Sequence, residues 1–521
     1  MISRRAALAG ALALPAAAQS QGARVLRMVP QANLGSIDPI YSTANITRNH
    51  GFMIYDTLYG MSAALEPSPQ MAAGHIVDEG GRRVVIALRD GLSFHDGAPV
   101  LARDVTASLN RWMARNPFGQ KLATVLASIA AAGDRRVELV LKRPFPLLFH
   151  ALAGLSQPPF IMPERVAKTD PFKQIEDATG SGPFRFKPDE FNSGSLVVYE
   201  RNPNYVPIGA PPSLTAGGKV AHFDRVEWRI ITDAGTASAA LQQGEIDWYE
   251  QPPPELQALL KRQRNVAVTP IDPLPNVAIL RLNHLQPPFD NPALRRALLP
   301  SIEQQDFMTA IVGDEPGLSM TGVGAFTPGT PNANPAGMAP LLGPRSLERA
   351  RQAMREAGYT GQPMRLIGPT DILAPAALTQ VAADLFRRLG FNLDFALSDW
   401  GTVVQRRASR EPLDRGGWSA LLTSFSSFDF ADPALHPLLR GNGLQGWPGW
   451  PDIPRLEALR DQWFDAADAE TRLRLCAELQ AVALDEVAFI PVGAYLQQTA
   501  LRRSLLGRVP GFAIFWGLRP S

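Results

Sequence analysis

Residues 88–112 read LRDGLSFHDGAPVLARDVTASLNRW, and this stretch indicates a strand, two turns and a helix in close succession. The strand comes first, because residues 84–89 (VVIALR) follow the period of two that is typical of a half-buried strand. Two Asp-Gly pairs then mark turns, at Asp90-Gly91 and Asp96-Gly97. Four apolar residues beyond them share one helix face: Val105, Leu109, Trp112 and Met113. The stretch therefore predicts a strand–turn–helix unit with one apolar helix face.

The same stretch closely resembles a motif of solute-binding protein family 5, the peptide/nickel/opine class of extracytoplasmic receptors that serve ABC importers. In that class the motif reads LRDG, a hydrophobic residue, FHDG, and then a helix that begins near a DV pair. The segment is scaffold of a small subdomain there and does not bind the ligand. The resemblance implies that His95 closes a turn, with metal binding as the alternative, and that Phe94 and Trp112 are core residues.

Further matches to this class follow in order along nearly the whole mature chain. They lie at 37–39 (IDP), 55–59 (YDTLY), 180–186 (GSGPFRF), 201–205 (RNPNY), 241–247 (LQQGEID), 356–359 (EAGY) and 490–492 (IPV). We expect a helical segment at 55–59, and a strand at 487–492 that crosses back into the first lobe. The resemblance implies an α/β fold of the periplasmic-binding-protein-like type II class, with two large α/β lobes, a hinge and an extra small α+β subdomain.

The expected domain boundaries follow from these matches and from a proline cluster at 270–275. Residues 1–22 are expected to be a signal peptide. Lobe I combines 23–48, 187–272 and 491–521, the small subdomain is 49–186, and lobe II is 273–490. We expect the hinge segments at 271–276 and 489–491.

The first residues have the features of a secretory signal peptide. Arg4 and Arg5 give it a positive start, residues 6–14 form a short apolar run, and residues 16–18 (AAA) are a cleavage signal. The two arginines fit a twin-arginine signal and an ordinary Sec signal equally well. Since no cysteine lies near the cleavage signal, we expect an unlipidated protein in a Gram-negative periplasm.

Amino-acid composition and net charge favour some classes of protein and function over others. Hydrophobic residues make up 45% and charged residues 19% of the 521 residues, which suits ordinary folded cores. The net charge of +2 favours no nucleic-acid partner. Cys476 is the only cysteine, so no internal disulfide can form, and we expect it to be a core residue. No cofactor and no metal are expected.

The stretch most relevant to function is 418–433, WSALLTSFSSFDFADP. Peptide-binding members of the class have W-x-x-D-x-x-[DE]-P here, and their first aspartate holds the ligand's α-ammonium group. Asp429 matches that aspartate, and a carboxylate in a closed cleft suits a cation because the bond is charge-assisted. The alternative is that Asp429 only caps a turn. Ser426 stands where peptide binders have tryptophan, with Phe428 close by, so the aromatic surface of the site differs.

Six further residues are candidate ligand contacts: Trp400, Arg407, Trp418, Asn33, Ser36 and Tyr41. The class has a tryptophan before a helix where Trp400 stands, and a core position is the alternative. Arg407 could bind a carboxylate through two hydrogen bonds, or could be an ordinary solvated helix arginine. The loop with Asn33, Ser36 and Tyr41 runs along the cleft in the class, and simple loop capping is the alternative for each.

The leading function is the periplasmic binding component of an ABC importer. It would close around a small solute, an oligopeptide or a related amine-bearing compound, and deliver it as a monomer to an inner-membrane permease. One alternative is an exported hydrolase, although the chain has no G-x-S-x-G, no H-E-x-x-H and no close histidine pair. A sensory or chaperone protein on the same scaffold is another. Nickel carriage is a variant, but His436 near Asp432 offers too few ligands.

Overall fold

Residues 23–521 are described by a computed structural model, in which most strands belong to three sheets, one in each large lobe and one in the small subdomain. The signal peptide expected at 1–22 lies outside the described residues. None of the helices within 23–521 combines the length and apolar character that a membrane span requires. Helices and strands alternate along the chain, so the predicted α/β class is confirmed.

The small subdomain is built on a four-stranded antiparallel sheet. Its strands, in order across the sheet, are Ala72–Asp78, Arg83–Leu88, Arg136–Leu141 and Leu126–Ala131. Its helices are Ala102–Arg115, Pro117–Val125, Leu148–Leu152 and Glu164–Ala167. The first helix packs on the sheet and buries the predicted apolar face, because Val105, Leu109, Trp112 and Met113 are at most 6% exposed. Phe94, in the turn before the helix, is 2% exposed, so the core roles expected for Phe94 and Trp112 are confirmed. The predicted strand–turn–helix unit is confirmed.

His95 connects the FHDG turn to the GSGP turn. Its Nδ1 accepts the N–H of Gly180 at 3.2 Å, and its Nε2 donates to the carbonyl of Gly182 at 3.2 Å. Burial lowers the pKa of His95 to about 4, so the ring stays neutral and Nδ1 remains an acceptor at neutral pH. The structural role expected for His95 is present, but its ring joins two turns, while the Phe94 carbonyl and the Asp96 side chain close the FHDG turn.

Lobe I is centred on a seven-stranded mixed sheet. In order across the sheet its strands are Phe184–Phe186, Leu196–Arg201, Arg225–Arg229, Val25–Val29, Trp248–Tyr249, Gln498–Arg502 and Val266–Pro270. Val25–Val29 lies parallel to both of its neighbours. The helices of this lobe are Asn45–Ile54, Ala234–Gln243 and Pro254–Lys261. Helix Ala234–Gln243 ends at Gly244, whose φ of 81° provides the left-handed cap that glycine favours.

Lobe II is centred on a six-stranded mixed sheet. In order, its strands are Ser319–Met320, Ile490–Tyr495, Asn276–Leu282, Ala420–Phe425, Pro363–Pro369 and Asn392–Ser398. The last three are parallel to one another. The helices of the lobe are Pro292–Ala297, Gln304–Val312, Ala339–Leu342, Leu347–Glu356, Leu373–Leu389, Trp400–Arg407, Pro454–Asp465 and Ala469–Asp485. Helices of this lobe pack on the sheet and bury a core of its own.

Three two-stranded sheets complete the fold. They pair Asp56–Thr57 with Phe160–Ile161, Tyr59–Met61 with Pro67–Pro69, and Leu505–Leu506 with Arg519–Pro520. The helical segment predicted at 55–59 is wrong, because helix Asn45–Ile54 ends just before it. Distant contacts hold this extended backbone: Asp56–Thr57 pairs with Phe160–Ile161, and Lys219 Nζ donates to Asp56 Oδ1 at 2.7 Å, with both side chains at most 1% exposed.

The chain passes between the two large sheets at residues 271–275 and again at 496–497. The first crossing falls within the segment predicted as a hinge, 271–276, and its role as a hinge stays a prediction. The second comes later than predicted, because Ile490–Tyr495 pairs with Asn276–Leu282 in the sheet of lobe II. The predicted strand at 487–492 begins only at Ile490, since Val487 adopts a left-handed φ of 51°. The boundary predicted at 490/491 is therefore a few residues too early.

The boundaries of the small subdomain also shift. Strand Phe184–Phe186 pairs with Leu196–Arg201 in the sheet of lobe I, so lobe I resumes before the predicted residue 187. Helix Asn45–Ile54 packs against this strand and runs across the predicted 48/49 boundary. Strand pairing and helix packing with distant residues decide these two boundaries, so the local sequence does not show them. The other boundaries stay a prediction.

Candidate ligand-binding cleft

The candidate site lies where the parallel strands of both large sheets end, which is the edge where open α/β sheets bind ligands. The parallel strands of lobe II lead at their carboxyl ends into Asp371, Trp400 and Asp429. The N–H of Trp400 donates to Asp371 Oδ1 at 2.8 Å and so connects two of these loops. Sheet geometry thus brings the predicted contacts Trp400 and Asp429 to one edge, although they come from separate loops.

Lobe I contributes Glu250 and Gln31 from the ends of its own parallel strands. Glu250 donates its N–H to the Val29 carbonyl at 3.0 Å and accepts the N–H of Gln31 at 2.7 Å. Its side chain is 2% exposed. Burial raises the pKa of Glu250 to about 7, while the N–H of Gln31 and the charge of Arg48 act in the opposite direction. Glu250 is therefore a buried carboxyl group that titrates near neutral pH.

The first hinge segment adds a third carboxyl group, Asp272. It accepts hydrogen bonds from Ser427 Oγ at 2.6 Å and from the N–H of Leu274 at 3.0 Å. Burial raises its pKa, and these hydrogen bonds and the charges of Arg48 and Arg508 oppose that effect. The bond to Ser427 connects the hinge directly to the loop of lobe II that carries Asp429.

Asp429 is half-buried, and Ser426 holds one of its two carboxylate oxygens. Asp429 Oδ2 accepts the N–H of Ser426 at 3.1 Å and its hydroxyl at 2.7 Å, and the N–H of Asp429 donates back to the Ser426 carbonyl. No hydrogen bond from the described part of the chain reaches Oδ1. Asp429 therefore caps the turn, which was the alternative considered from the sequence. Its Oδ1 is left to accept a hydrogen bond from a ligand.

Phe428 and Trp418 are both buried, Phe428 where the two large lobes meet and Trp418 inside lobe II. Phe428 is 4% exposed, and its ring meets Phe512 of lobe I with centroids 6.5 Å apart. Trp418 is 0% exposed and packs against Trp450 at 6.0 Å inside lobe II. Trp418 is thus a core residue before the amino end of strand Ala420–Phe425, and we leave it out of the proposed site.

An arginine between two tryptophans extends the site along lobe II. The Arg407 guanidinium lies 5.6 Å from the centre of the Trp400 ring and 5.0 Å from that of Trp447. Trp447 in turn meets Phe425, next to Ser426, with centroids 5.7 Å apart. Burial lowers the pKa of Arg407 to about 10, a value that keeps it charged at neutral pH. These contacts join Trp400 and Arg407 to the Asp429 loop through aromatic rings.

The other three predicted contacts use their side chains elsewhere. Asn33 pairs with Ser193, Ser36 with Gln174, and Tyr41 lies under the guanidinium of Arg115. Within residues 23–521, no hydrogen bond or ring contact connects any of them to Asp429. These side chains contact other parts of the chain in this structure, and a role for the three in ligand binding stays a prediction.

Sequence reasoning missed four residues of the cleft: Arg48, Glu250, Asp272 and Trp447. Trp447 has a local signal, because 447–450 reads WPGW and such a cluster of rings indicates a packed or binding surface. The three charged residues have none, since their roles depend on partners from other elements.

The chain matches the sequence profile described as "Bacterial extracellular solute-binding proteins, family 5 Middle" over residues 66–443. The chain belongs to this family. It is 35% identical over 526 residues to the probable peptide ABC transporter periplasmic-binding protein y4tO of Sinorhizobium fredii (strain NBRC 101917 / NGR234), covering 99% of this chain and 98% of that protein. It is 25% identical over 497 residues to the glutathione-binding protein GsiB of Salmonella paratyphi A (strain ATCC 9150 / SARB42), covering 91% and 90%. The predicted family membership is confirmed.

Solved structures show the same fold. The dipeptide binding protein of Pseudoalteromonas sp. SM9913 in complex with Met-Leu superposes with a TM-score of 0.78 at 18% identity, covering 96% of this chain and all 100% of that one. The binding protein AgaA of A. tumefaciens R10 in complex with agropinic acid gives 0.78 at 19% identity, covering 95% and 99%. The predicted type II periplasmic-binding-protein-like fold is therefore confirmed.

The small subdomain and lobe I of this family 5 protein also touch lobe II through charged pairs. Lys121 Nζ lies 2.5 Å from Asp461 Oδ1, and two more cations pair across the cleft in the same direction: Arg143 with Asp465 and Lys261 with Glu315. Beside them, Phe118 of the small subdomain packs on Phe464 of lobe II at 5.5 Å. A cavity of about 50 Å³ remains at this contact, between Phe118, Phe428 and Asp432.

Potentially reactive side chains of this family 5 protein are buried in cores. Cys476 is 0% exposed, and burial raises the pKa of its thiol to about 12, so that it stays protonated. His436 Nε2 donates to the Ala325 carbonyl at 2.8 Å, and burial lowers its pKa to about 3. Across residues 23–521, no three histidine, cysteine or acidic side chains are grouped as a metal site needs. The core role expected for Cys476 is confirmed.

Proposed function

We propose that this family 5 protein captures a peptide-like or related amine-bearing solute between its lobes and delivers it to the permease of an ABC importer. The observation that carries the proposal is Asp429, a half-buried carboxylate at the carboxyl edge of the lobe II sheet whose Oδ2 is held by Ser426. An ammonium group would donate to Oδ1, and a charge-assisted bond in this partly desolvated place is strong. The names of the relatives, which refer to peptides and glutathione, support the same solute class.

The rest of the solute would lie along the aromatic surface of lobe II. The rings of Trp400, Trp447 and Phe425 would cover its apolar parts. Arg407, held between two of these rings, would bind a carboxylate of a longer solute. Ser426 in place of a larger ring leaves more room beside Asp429, which suits solutes other than strict dipeptides.

Transport would depend on closure and would leave the solute chemically unchanged. The segments 271–275 and 496–497 would act as the hinge, and the Asp272–Ser427 hydrogen bond would couple it to the Asp429 loop. A solute with contacts on both lobes favours the closed form by its differential affinity for that form. The closed form would then dock as a monomer on an inner-membrane permease, in the periplasm of a Gram-negative cell.

Thermal-shift measurements on the purified mature protein test this proposal. The probes are a pool of random tripeptides with free termini and the same pool with acetylated N-termini. Binding raises the melting temperature by mass action, so the free pool should shift it and the acetylated pool should not. Asp429→Asn should weaken binding of the free pool roughly tenfold to a hundredfold, the value of a hydrogen bond to a charged group.

Asp468→Asn is the matched control. Asp468 also caps a turn through its carboxylate, because Oδ1 accepts the N–H of Thr471 at 2.7 Å, but it lies at the start of helix Ala469–Asp485. Its substitution should leave binding unchanged. If neither pool nor a broader solute library stabilises the protein, the proposed function is wrong. If Asp429→Asn binds as tightly as the control, Asp429 is not part of the site.

A further inference from the structure

Arg48 and Asn49, neighbours on helix Asn45–Ile54, carry hydrogen-bond donors without acceptors. Their side chains are 7% and 1% exposed. Nε and Nη2 of Arg48 donate to Asn49 Oδ1 at 3.4 and 3.2 Å, and the guanidinium lies 4.3 Å from the centre of the Phe512 ring. Within residues 23–521, nothing accepts a hydrogen bond from Arg48 Nη1 or from Asn49 Nδ2. Two buried donors therefore stand side by side without a partner.

Among the buried cations of the described chain, only Arg48 has a buried side-chain nitrogen atom without an acceptor. Arg111 and Lys219 each pair with a buried carboxylate at 2.7 Å. Three more donate to main-chain carbonyl groups: Arg281, Arg295 and Arg460. A buried donor without an acceptor is costly, so proteins leave few of them. The incomplete set at Arg48 points to an acceptor that comes from outside the chain.

Arg48 lies where the two lobes and the hinge meet. Phe512, on which its guanidinium rests, also contacts Phe428 of lobe II. Burial lowers the pKa of Arg48, and the charges of Asp429, Glu250 and Asp272 oppose this effect. Those three carboxyl groups come from lobe II, lobe I and the hinge, and in the described structure none forms an ion pair with Arg48. The charge of Arg48 therefore interacts with the three carboxyl groups of the cleft, although none of them forms an ion pair with it.

We propose that Arg48 and Asn49 form the subsite for the carboxylate of a zwitterionic solute, an inference that rests on the proposed function. Nη1 and Nδ2 supply two donors, and the guanidinium charge strengthens both bonds. A dianion such as phosphate fits poorly, because three carboxyl groups act on the same place. In a zwitterionic solute, the ammonium group bound to Asp429 offsets the negative charge of the carboxylate in the same molecule. The solute class is therefore a short peptide or amino-acid derivative with both charges free.

This subsite assigns the two ends of the solute to different lobes. Asp429 of lobe II would hold the ammonium group and Arg48 of lobe I the carboxylate, so one molecule would bridge the cleft. For a short solute that does not extend to Arg407, each lobe alone offers only one of the two opposite charges. Closure would then require both charges, which gives the receptor a way to reject solutes that carry only one.

The test compares tripeptide pools with free C-termini and with C-terminal amides, all with free N-termini. Wild-type protein should bind the free-acid pool roughly tenfold to a hundredfold more tightly than the amide pool. This comparison needs no variant. Arg48→Met keeps an unbranched side chain on Phe512 without the charge, and it should bind both pools equally, at the wild-type amide level. Arg48→Lys should restore part of the preference.

Arg387→Met is the matched control, because Arg387 also lies over a ring, that of Phe395, on the distant helix Leu373–Leu389. It should keep the wild-type preference. Equal binding of both pools by wild-type protein, or an unchanged preference in Arg48→Met, would overturn the subsite and leave the proposed function intact. If neither pool binds, the proposed function fails and the subsite with it.

Discussion

Replacement of Arg111 by methionine should cost the small subdomain about 3–5 kcal/mol of unfolding free energy, the usual cost of removing one partner of a buried ion pair. Nη1 and Nη2 of Arg111 donate to the two carboxylate oxygens of Asp38 at 3.0 and 2.7 Å, and the side chains are 1% and 0% exposed. Arg111 also donates to the carbonyl groups of Thr169 and Lys173. Methionine would leave the Asp38 charge buried without its cation, and the carbonyl groups of Thr169 and Lys173 without this donor.

The assay is urea unfolding followed by circular dichroism, together with hydrogen exchange of the amides in helix Ala102–Arg115. Hydrogen exchange matters because a chain with several lobes need not unfold in one step, and it reports the local opening directly. Arg103→Met is the matched control: Arg103 is on the same helix, but its side chain is 64% exposed and 3.8 Å from Glu164. Its replacement should change stability by no more than about 0.5 kcal/mol. If the two variants lose similar stability, the buried pair does not stabilise the subdomain as reasoned.

Two further predictions concern the cleft. Glu250 has its pKa raised from 4.5 to about 7 by burial, so the folded protein binds more protons than the unfolded chain between these values, and stability should fall as pH rises through this window, by up to about 3 kcal/mol. Glu250→Gln should remove this part of the pH dependence in thermal unfolding; parallel curves for variant and wild type would contradict it. Lys121→Glu should place two negative charges at the Lys121–Asp461 contact and open the cleft, seen as a larger radius of gyration in solution scattering. The double change with Asp461→Lys should restore the wild-type radius, and a single variant as compact as wild type would show that the pair does not hold the lobes together.

The local pattern of apolar and polar residues was sufficient to predict much of the fold. The alternation at 84–89 and the apolar stripe of the following helix predicted elements that the structure has at Arg83–Leu88 and Ala102–Arg115. Periodicity predicts these elements because one face of each element must pack on a core. The residues on that face must then be apolar, and this pattern can be recognised among neighbouring residues. The same reasoning failed at 55–59 and 487–492, where a distant partner or a left-handed residue overrides local preference.

The proposed site could be predicted from the sequence only where a motif of the family was present. Asp429 follows from the resemblance of 418–433 to the binding segment of the class, and the parallel strands of lobe II place it at the same sheet edge as Trp400. Arg48 and Glu250 follow from no motif. Each acquires its character from burial and from charges contributed by other elements.

The sequence alone determined the family, the α/β class, the strand–turn–helix unit and the carboxylate at 429. Only the tertiary structure decided that Arg111 pairs with Asp38, 73 residues away, while Arg48, which is also buried, has a donor with no acceptor in the described chain. The reason is physical: side-chain periodicity is a property of neighbours along the chain, but desolvation and charge pairing depend on which distant residues the fold brings within a few ångströms.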